Sequence, residues 1–200
     1  MNATVPSTRV LVVRHGQSEW NALGLWQGQE DPPLSDLGRA QAAEASASVG
    51  SVDAIVASPL VRASETARII GEAMGVGPVL EVAGLVERHA GEWQGLTRAQ
   101  IEQQWPGYLA AGDRPPGWEA DAVVEQRAAL ALEEVSQRFA GGTVLAVAHA
   151  GIIYAVERLL GAPFERIANL AGRELEHSGT GLSLGERVHL VAHETTPGQI

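Results

Sequence analysis

Two histidines, two or three arginines and one glutamate stand in this chain just beyond runs of apolar residues. Arg14-His15-Gly16 follows Val10–Val13, and Ser58-Pro59 with Arg62 follows Val52–Ala57. Glu87-Arg88-His89 comes a short loop after Val79–Val82, and His149-Ala150-Gly151 follows Thr143–Ala148. Short β-branched and aliphatic runs of this kind read as strands buried on both faces. Ligands of open parallel sheets bind beyond the carboxyl ends of the strands, so these groups are expected to meet at one edge. Arginine forks grip phosphate oxygens, and helix N-termini add backbone donors. An imidazole in such a place can act as a nucleophile, and a nearby carboxyl can pass a proton to a leaving oxygen. Together these residue types point to phosphoryl transfer on histidine, with no metal cage.

The elements that must hold them alternate between strand and helix. Leu34–Val49 reads as a helix with Ser35 as its N-cap. Ser58-Pro59 opens the next one, which runs to Met74 and stops at Gly75. Thr97 caps a short helix that Pro106 ends. Apolar Val124, Ala128, Ala131, Val135 and Phe139 recur three or four apart over Ala120–Phe139, which marks one face of a long helix ending at Gly141-Gly142. Another helix lies near Gly151–Leu160, and an antiparallel pair, Gly181–Leu184 with Arg187–Ala192, suits a sheet edge. The alternation predicts a three-layer α/β/α fold around a mainly parallel central sheet, one domain over residues 1–200. Trp105–Glu119 is too rich in Pro and Gly for regular structure and reads as an insert or lid around 105–119.

Composition excludes several chemistries. The 200 residues hold 14 Lys+Arg against 24 Asp+Glu, a net charge of −10, which argues against nucleic-acid partners and anionic membrane surfaces. There is no Cys, and every basic residue is Arg. Disulfides, thiolate zinc sites, cysteine nucleophiles, Walker A lysines and Schiff-base lysines are therefore excluded. Residues 1–8 are polar and lack the pattern of a signal peptide, and no apolar stretch is long enough to cross a membrane. The expectation is a cytoplasmic protein whose tail, Glu194–Ile200, adds nothing to the core. His189 and His193 lie four apart, but in a strand and without a third ligand, so no metal site is expected.

The segment Val13-Arg14-His15-Gly16-Gln17-Ser18-Glu19-Trp20-Asn21 resembles the signature of the histidine phosphatase superfamily, in its phosphoglycerate-mutase-like branch (branch 1). Leu34–Ala42, Ser58–Ala67, Leu85-Val86-Glu87 with Gly91–Thr97, and Val147–Gly151 match four further conserved stretches in the family's order. The resemblance spans residues 10–160 and implies the phosphoglycerate-mutase-like fold. It implies a phosphoric monoester hydrolase of the histidine acid phosphatase type, with His15 as nucleophile and Glu87 as proton donor. Arg14, Arg62 and His149 would clamp the phosphoryl oxygens, and Asn21, Gln27 and Gly28 would touch phosphate or substrate. Gln27 stands where the mutases usually have Thr, and Ala90 where their Glu-Arg-His-Tyr-Gly run has Tyr.

Two activities fit that pattern: a metal-independent phosphomonoesterase without a cofactor, and a cofactor-dependent phosphoglycerate mutase. The stretch from Glu87 to His149 is short for a mutase and lacks its paired arginine, which favours hydrolysis. A non-catalytic member would have lost one of His15, Arg62, Glu87 or His149, and all are present. Arg88 reads as a surface salt-bridge former. Trp26 and one tryptophan of the lid are candidates to wall a pocket. A lid with little positive charge suggests a small phosphate ester with a neutral or mixed leaving group. The fold allows a homodimer, and no patch in the sequence demands one.

Overall fold

A computed structural model describes residues 6–192 and Thr195. Six strands form one sheet: β1 (Thr8–Arg14), β2 (Ala54–Ala57), β3 (Leu80–Glu81), β4 (Thr143–Ala148), β5 (Ala171–Ser178) and β6 (Gly181–His189). Their spatial order is β3-β2-β4-β1-β5-β6. The pairs β3–β2, β2–β4 and β4–β1 are parallel, whereas β1–β5 and β5–β6 are antiparallel. The expected three-layer, mainly parallel arrangement is present.

Side chains alternate across these strands and sort the core into two halves. Val10, Val12, Val144 and Ala146 face α6 (Asp121–Arg138) and α7 (Ala150–Leu159), where Val124, Leu132, Ile152 and Val156 cover them. On the other face, Leu11, Val13, Ile55 and Val147 meet Ala63, Ala67 and Ile70 of α3 (Val61–Met74), and Ala45 of α2 (Asp36–Ala45). The segments after β1 and β4 therefore leave toward opposite faces, which opens a crevice between the ends of two adjacent strands.

Several boundaries differ from expectation. Ser35 caps α2 through Gly38 N, but the helix starts at Asp36 and ends at Ala45. α3 begins at Val61 with Leu60 as its N-cap, not at Ser58-Pro59, and the Ser58 hydroxyl lies against His149 Nε2. A short α1 (Glu19–Leu23), capped reciprocally by Ser18 and Asn21, adds a helix that the periodicity does not indicate. Thr97 caps α4 (Arg98–Gln104) as expected. Within 105–119 a single turn of helix, α5 (Tyr108–Ala111), forms between Gly107 and Gly112. The edge hairpin is also shifted. Its turn lies at Gly179-Thr180, and Gly185 instead marks a register break opposite Arg173–Leu175. His193 and the tail, other than Thr195, lie outside the described residues. No helix among the described residues is long and apolar enough to cross a membrane.

Candidate active site

Strand register brings the two histidines together. Arg14 pairs with Ala148 at the end of the β1–β4 ladder, and His15 N continues it by donating to Ala148 O at 3.0 Å. His15 and His149 thus leave neighbouring strands side by side, with ring centroids 5.2 Å apart. β2 does the same for Ser58: its N–H donates to Val147 O, and its hydroxyl lies 2.8 Å from His149 Nε2.

Both imidazoles are sealed from solvent, at 2% exposure for His15 and 0% for His149. His15 Nδ1 bonds Gly16 O at 2.6 Å, which places the ring proton there and leaves the lone pair on Nε2. Burial, followed by the charges of Arg62 and Arg14, holds His15 well below the ordinary 6.5. His149 is lowered by burial and by the same cations. A neutral imidazole with its Nε2 lone pair free is the form that can act as a nucleophile. In the resting protein its ring is expected to remain unprotonated when the solution is brought well below pH 6.5, as read from the pH dependence of its ring carbon shift by NMR. Because its folded pKa is depressed, the buried neutral ring favours folding less as pH falls through 6.5, where the unfolded chain takes up the proton.

Two arginines flank the imidazoles. Arg62, wholly buried in the first turn of α3, donates through Nη1 to Glu30 O at 2.8 Å and through Nη2 to Gly28 O at 2.9 Å. Burial, against the pull of Glu87 and Asp31, pushes its guanidinium down to about 10, so it stays charged at neutral pH. Gly28 can hold that position because its φ is +51° and a side chain there would strike Gln94. Arg14 donates to Ile167 O at 2.9 Å. Gln27 Oε1 accepts from Ser18 Oγ at 2.6 Å, which ties the Gln27 loop to the start of α1.

The carboxyl of Glu87 is fixed by two backbone donors, Arg88 N on Oε1 at 2.7 Å and Gly151 N on Oε2 at 3.1 Å. A side chain at Gly151 would collide with Oε1, so the approach of α7 to this loop depends on glycine. Arg127 of α6 gathers the carbonyls of Gly84, Val86 and Glu87 and pairs with Glu119, an anchoring role that the spacing does not reveal.

Every residue expected in the site is therefore brought to the same end of the sheet. Four of them carry a buried nitrogen without a hydrogen-bond partner among the described residues: Arg14 Nε, Asn21 Nδ2, Arg62 Nε and His149 Nδ1. Next to them opens a cavity of about 330 Å³, bordered by Arg14, Gln27, Gly28 and Glu87. Trp26 and Trp118 line it, as anticipated for a tryptophan pair, and both stand edge-on to the buried Trp93. The expectation of little positive charge is corrected: Arg88, Arg114 and Arg158 all reach the cavity wall. Composition of the lid does not show this, because two of the three come from outside it. Arg88 does form an ion pair, with Asp121 at 2.7 Å. Among the described residues no group of three or more His, Asp or Glu is placed to hold a metal ion.

A family model described as the histidine phosphatase superfamily (branch 1) matches residues 10–192. A glucosyl-3-phosphoglycerate phosphatase of Mycolicibacterium vanbaalenii is 38% identical over 179 residues, covering 82% of this chain and 79% of that protein. A 2,3-bisphosphoglycerate-dependent phosphoglycerate mutase of Gloeobacter violaceus is 37% identical, covering 74% of this chain and 73% of its own length. The structure of a mycobacterial glucosyl-3-phosphoglycerate phosphatase in complex with VO3 superposes with a TM-score of 0.80 at 33% identity, over 89% of this chain and 97% of that one.

Proposed function

Because the chain belongs to the histidine phosphatase superfamily, branch 1, and is a phosphoric monoester hydrolase, we propose that it hydrolyses a small phosphorylated metabolite through a phosphohistidine on His15. The observation that carries this reading is the set of four unpartnered buried nitrogens beside that imidazole. An unpaired buried donor costs about 1–3 kcal/mol, and the oxygens of a phosphoryl group can accept from all four. His149 fits the role as a neutral donor. With the Ser58 hydroxyl donating to Nε2, the ring proton sits on Nδ1, the nitrogen left open to a phosphoryl oxygen.

The steps follow from these placements. His15 Nε2 attacks phosphorus, the ester P–O bond breaks, and the alkoxide takes its proton from Glu87. Glu87, now a carboxylate, takes a proton from water; the hydroxide attacks phosphorus, the P–N bond breaks and inorganic phosphate departs. Arg14, Arg62, His149 and Asn21 stabilise the negative charge on the phosphoryl oxygens throughout, and the two guanidinium groups supply positive charge that a metal ion supplies in other phosphatases. Gln27 and Gly28 border the phosphoryl group on the cavity side.

Arg114 supports a finer statement about the leaving group. Arg88 is paired with Asp121, and Arg158 with Asp121 and Glu125. Arg114 instead lies over the Trp118 ring at 4.9 Å and bonds only the Asp113 carbonyl, with no ion-pair partner among the described residues. That guanidinium suits a leaving group bearing an anionic group, a carboxylate or a second phosphate. Arg114→Met is expected to raise KM roughly tenfold, about 1.4 kcal/mol, for esters with a carboxylate on the leaving group. For p-nitrophenyl phosphate the change should stay within about twofold, a loss that small being near the limit for an exposed charge. Equal effects on both substrate classes would remove Arg114 from the specificity argument.

The mutase relative supports a second reading, in which a substrate hydroxyl rather than water accepts the phosphoryl group. A phosphomonoester panel without added metal, scoring free phosphate and isomerised 3-phosphoglycerate in the same samples, separates the two. Faster isomerisation than phosphate release would overturn the hydrolytic reading.

A further inference from the structure

The segment joining α7 to β5 folds back over the start of the site. Ile167 O accepts from Arg14 Nη1, Leu170 N donates to Arg14 O at 3.1 Å, and the Asn169 amide donates to His15 O at 2.9 Å. The chain reaches these positions by holding the buried Leu170 at φ +56°, a conformation that side chains other than glycine rarely adopt. Strained backbone of this kind persists where surrounding bonds over-determine it, and it concentrates at functional sites.

Asn169 also ends a line of hydrogen bonds whose polarity is set at its origin. The backbone N–H of Gln17 can only donate, and it donates to Gln41 Oε1 at 2.9 Å. Gln41 therefore turns its Nε2 to Thr195 Oγ1 at 3.0 Å, and the Thr195 hydroxyl gives its proton to Asn169 Oδ1 at 3.0 Å. That leaves Asn169 Nδ2 facing Asn21 Oδ1 at 3.3 Å, with the Ser18 N–H as a second donor to the same oxygen at 3.2 Å. Both donors hold the Asn21 oxygen, so its nitrogen is the end left buried and unpartnered.

We propose that Asn169, oriented by Thr195, is a positioning residue that fixes the Asn21 amide with its nitrogen toward the phosphoryl group. The inference rests on the phosphatase reading, in which Asn21 Nδ2 donates to phosphate. Asn169 touches no reacting atom and acts through Asn21. The tail residue Thr195, expected to add nothing to the core, supplies the hydroxyl that sets the polarity.

The test measures the affinity for inorganic phosphate by calorimetry, with kcat and KM on the best ester from the panel. Asn169→Asp puts an acceptor against Asn21 Oδ1, so the Asn21 amide turns over and presents its oxygen to the anion. Phosphate binding is expected to weaken at least tenfold in N169D and severalfold in T195V, with T195S restoring it. In an Asn21→Ala background the penalty of N169D should shrink to under threefold, whereas a purely structural role would keep it whole. T195V carries the same test if N169D fails to fold. If Asn21→Ala alone leaves phosphate affinity unchanged, Asn21 is no phosphate donor and the inference falls with that assignment. If Asn21→Ala weakens binding but N169D and T195V do not, or the N169D penalty is undiminished without Asn21, only the positioning role is overturned.

Discussion

His15→Ala is expected to lower turnover by about 10⁴-fold or more, at least about 5 kcal/mol of transition-state stabilisation, with the protein still folded. The ring is the one imidazole in the site whose Nδ1 proton is committed to a local carbonyl and whose Nε2 is thereby a lone-pair donor. In the proposed mechanism, removing it eliminates the covalent step rather than weakening a contact. Folding should survive because the lost bond is to the next residue's carbonyl and the ring is neutral where it lies. Single-turnover kinetics read the rate. Alkaline quench after mixing with an ester labelled in its phosphoryl group reads the intermediate, since a phosphorus–nitrogen bond to imidazole survives base and is lost in acid. Wild-type protein should retain label and the variant none. Residual turnover within about tenfold of wild type would exclude His15 as the nucleophile.

Arg62→Met should damage both catalysis and stability, which sets it apart from His15→Ala. The guanidinium holds the carbonyls of Gly28 and Glu30, and both lose their donor when it is removed. The buried Gly28 carbonyl left without its donor implies a loss of about 1–3 kcal/mol, to which the Glu30 carbonyl, on an exposed residue, adds little. For a chain of this size that is a fall in Tm of about 2–12 °C. The phosphoryl group also loses a charged donor, expected to cost roughly 10²–10³ in kcat/KM. Lysine should not rescue it, because one ammonium cannot reach two carbonyls and a phosphate oxygen in the planar geometry of the fork. A third readout comes from the electrostatics. Arg62 is the largest charge depressing His15, so its removal should move the His15 titration upward toward 6.5. A melting curve unchanged from wild type, or an unmoved His15 titration, would contradict the described packing of Arg62.

Much of this site is legible in the sequence because its residues sit at the ends of strands. The apolar runs Val10–Val13 and Thr143–Ala148 identify buried strands, and the residues just past a buried parallel strand must emerge at the ligand edge. Hence His15, Ser58 and His149 can be placed without knowledge of their contacts. The hairpin departs from expectation because Gly185 looks like a turn, whereas Gly179-Thr180 makes the turn and Gly185 accommodates a register break against β5. The start of α3 departs as well. Ser58 has the chemistry of an N-cap, but it stands at the end of β2 with its hydroxyl against His149 Nε2, and Leu60 takes the capping position. The charge around the lid escapes a reading of its composition because Arg88 and Arg158 come to the cavity from a loop and a helix outside it.

By itself the sequence determined the layered fold, the edge at which the chemistry gathers and the residue types that carry it. Those depend on short-range rules: side-chain alternation, cap chemistry and the direction in which a strand ends. Only the tertiary structure decided the protonation of His15, the orientation of the Asn21 amide and the lack of an ion-pair partner for Arg114 among the described residues. The surroundings that set the first two include partners remote along the chain. Asn169 reaches His15 across 154 positions, Gln41 reaches Thr195 across another 154, and Arg62 sits beside His15 only because β1, β4 and β2 lie in that order. Burial raises the cost of leaving any of these groups unpaired, so the fold, and not the spacing, selects which atom of each side chain remains open to phosphate.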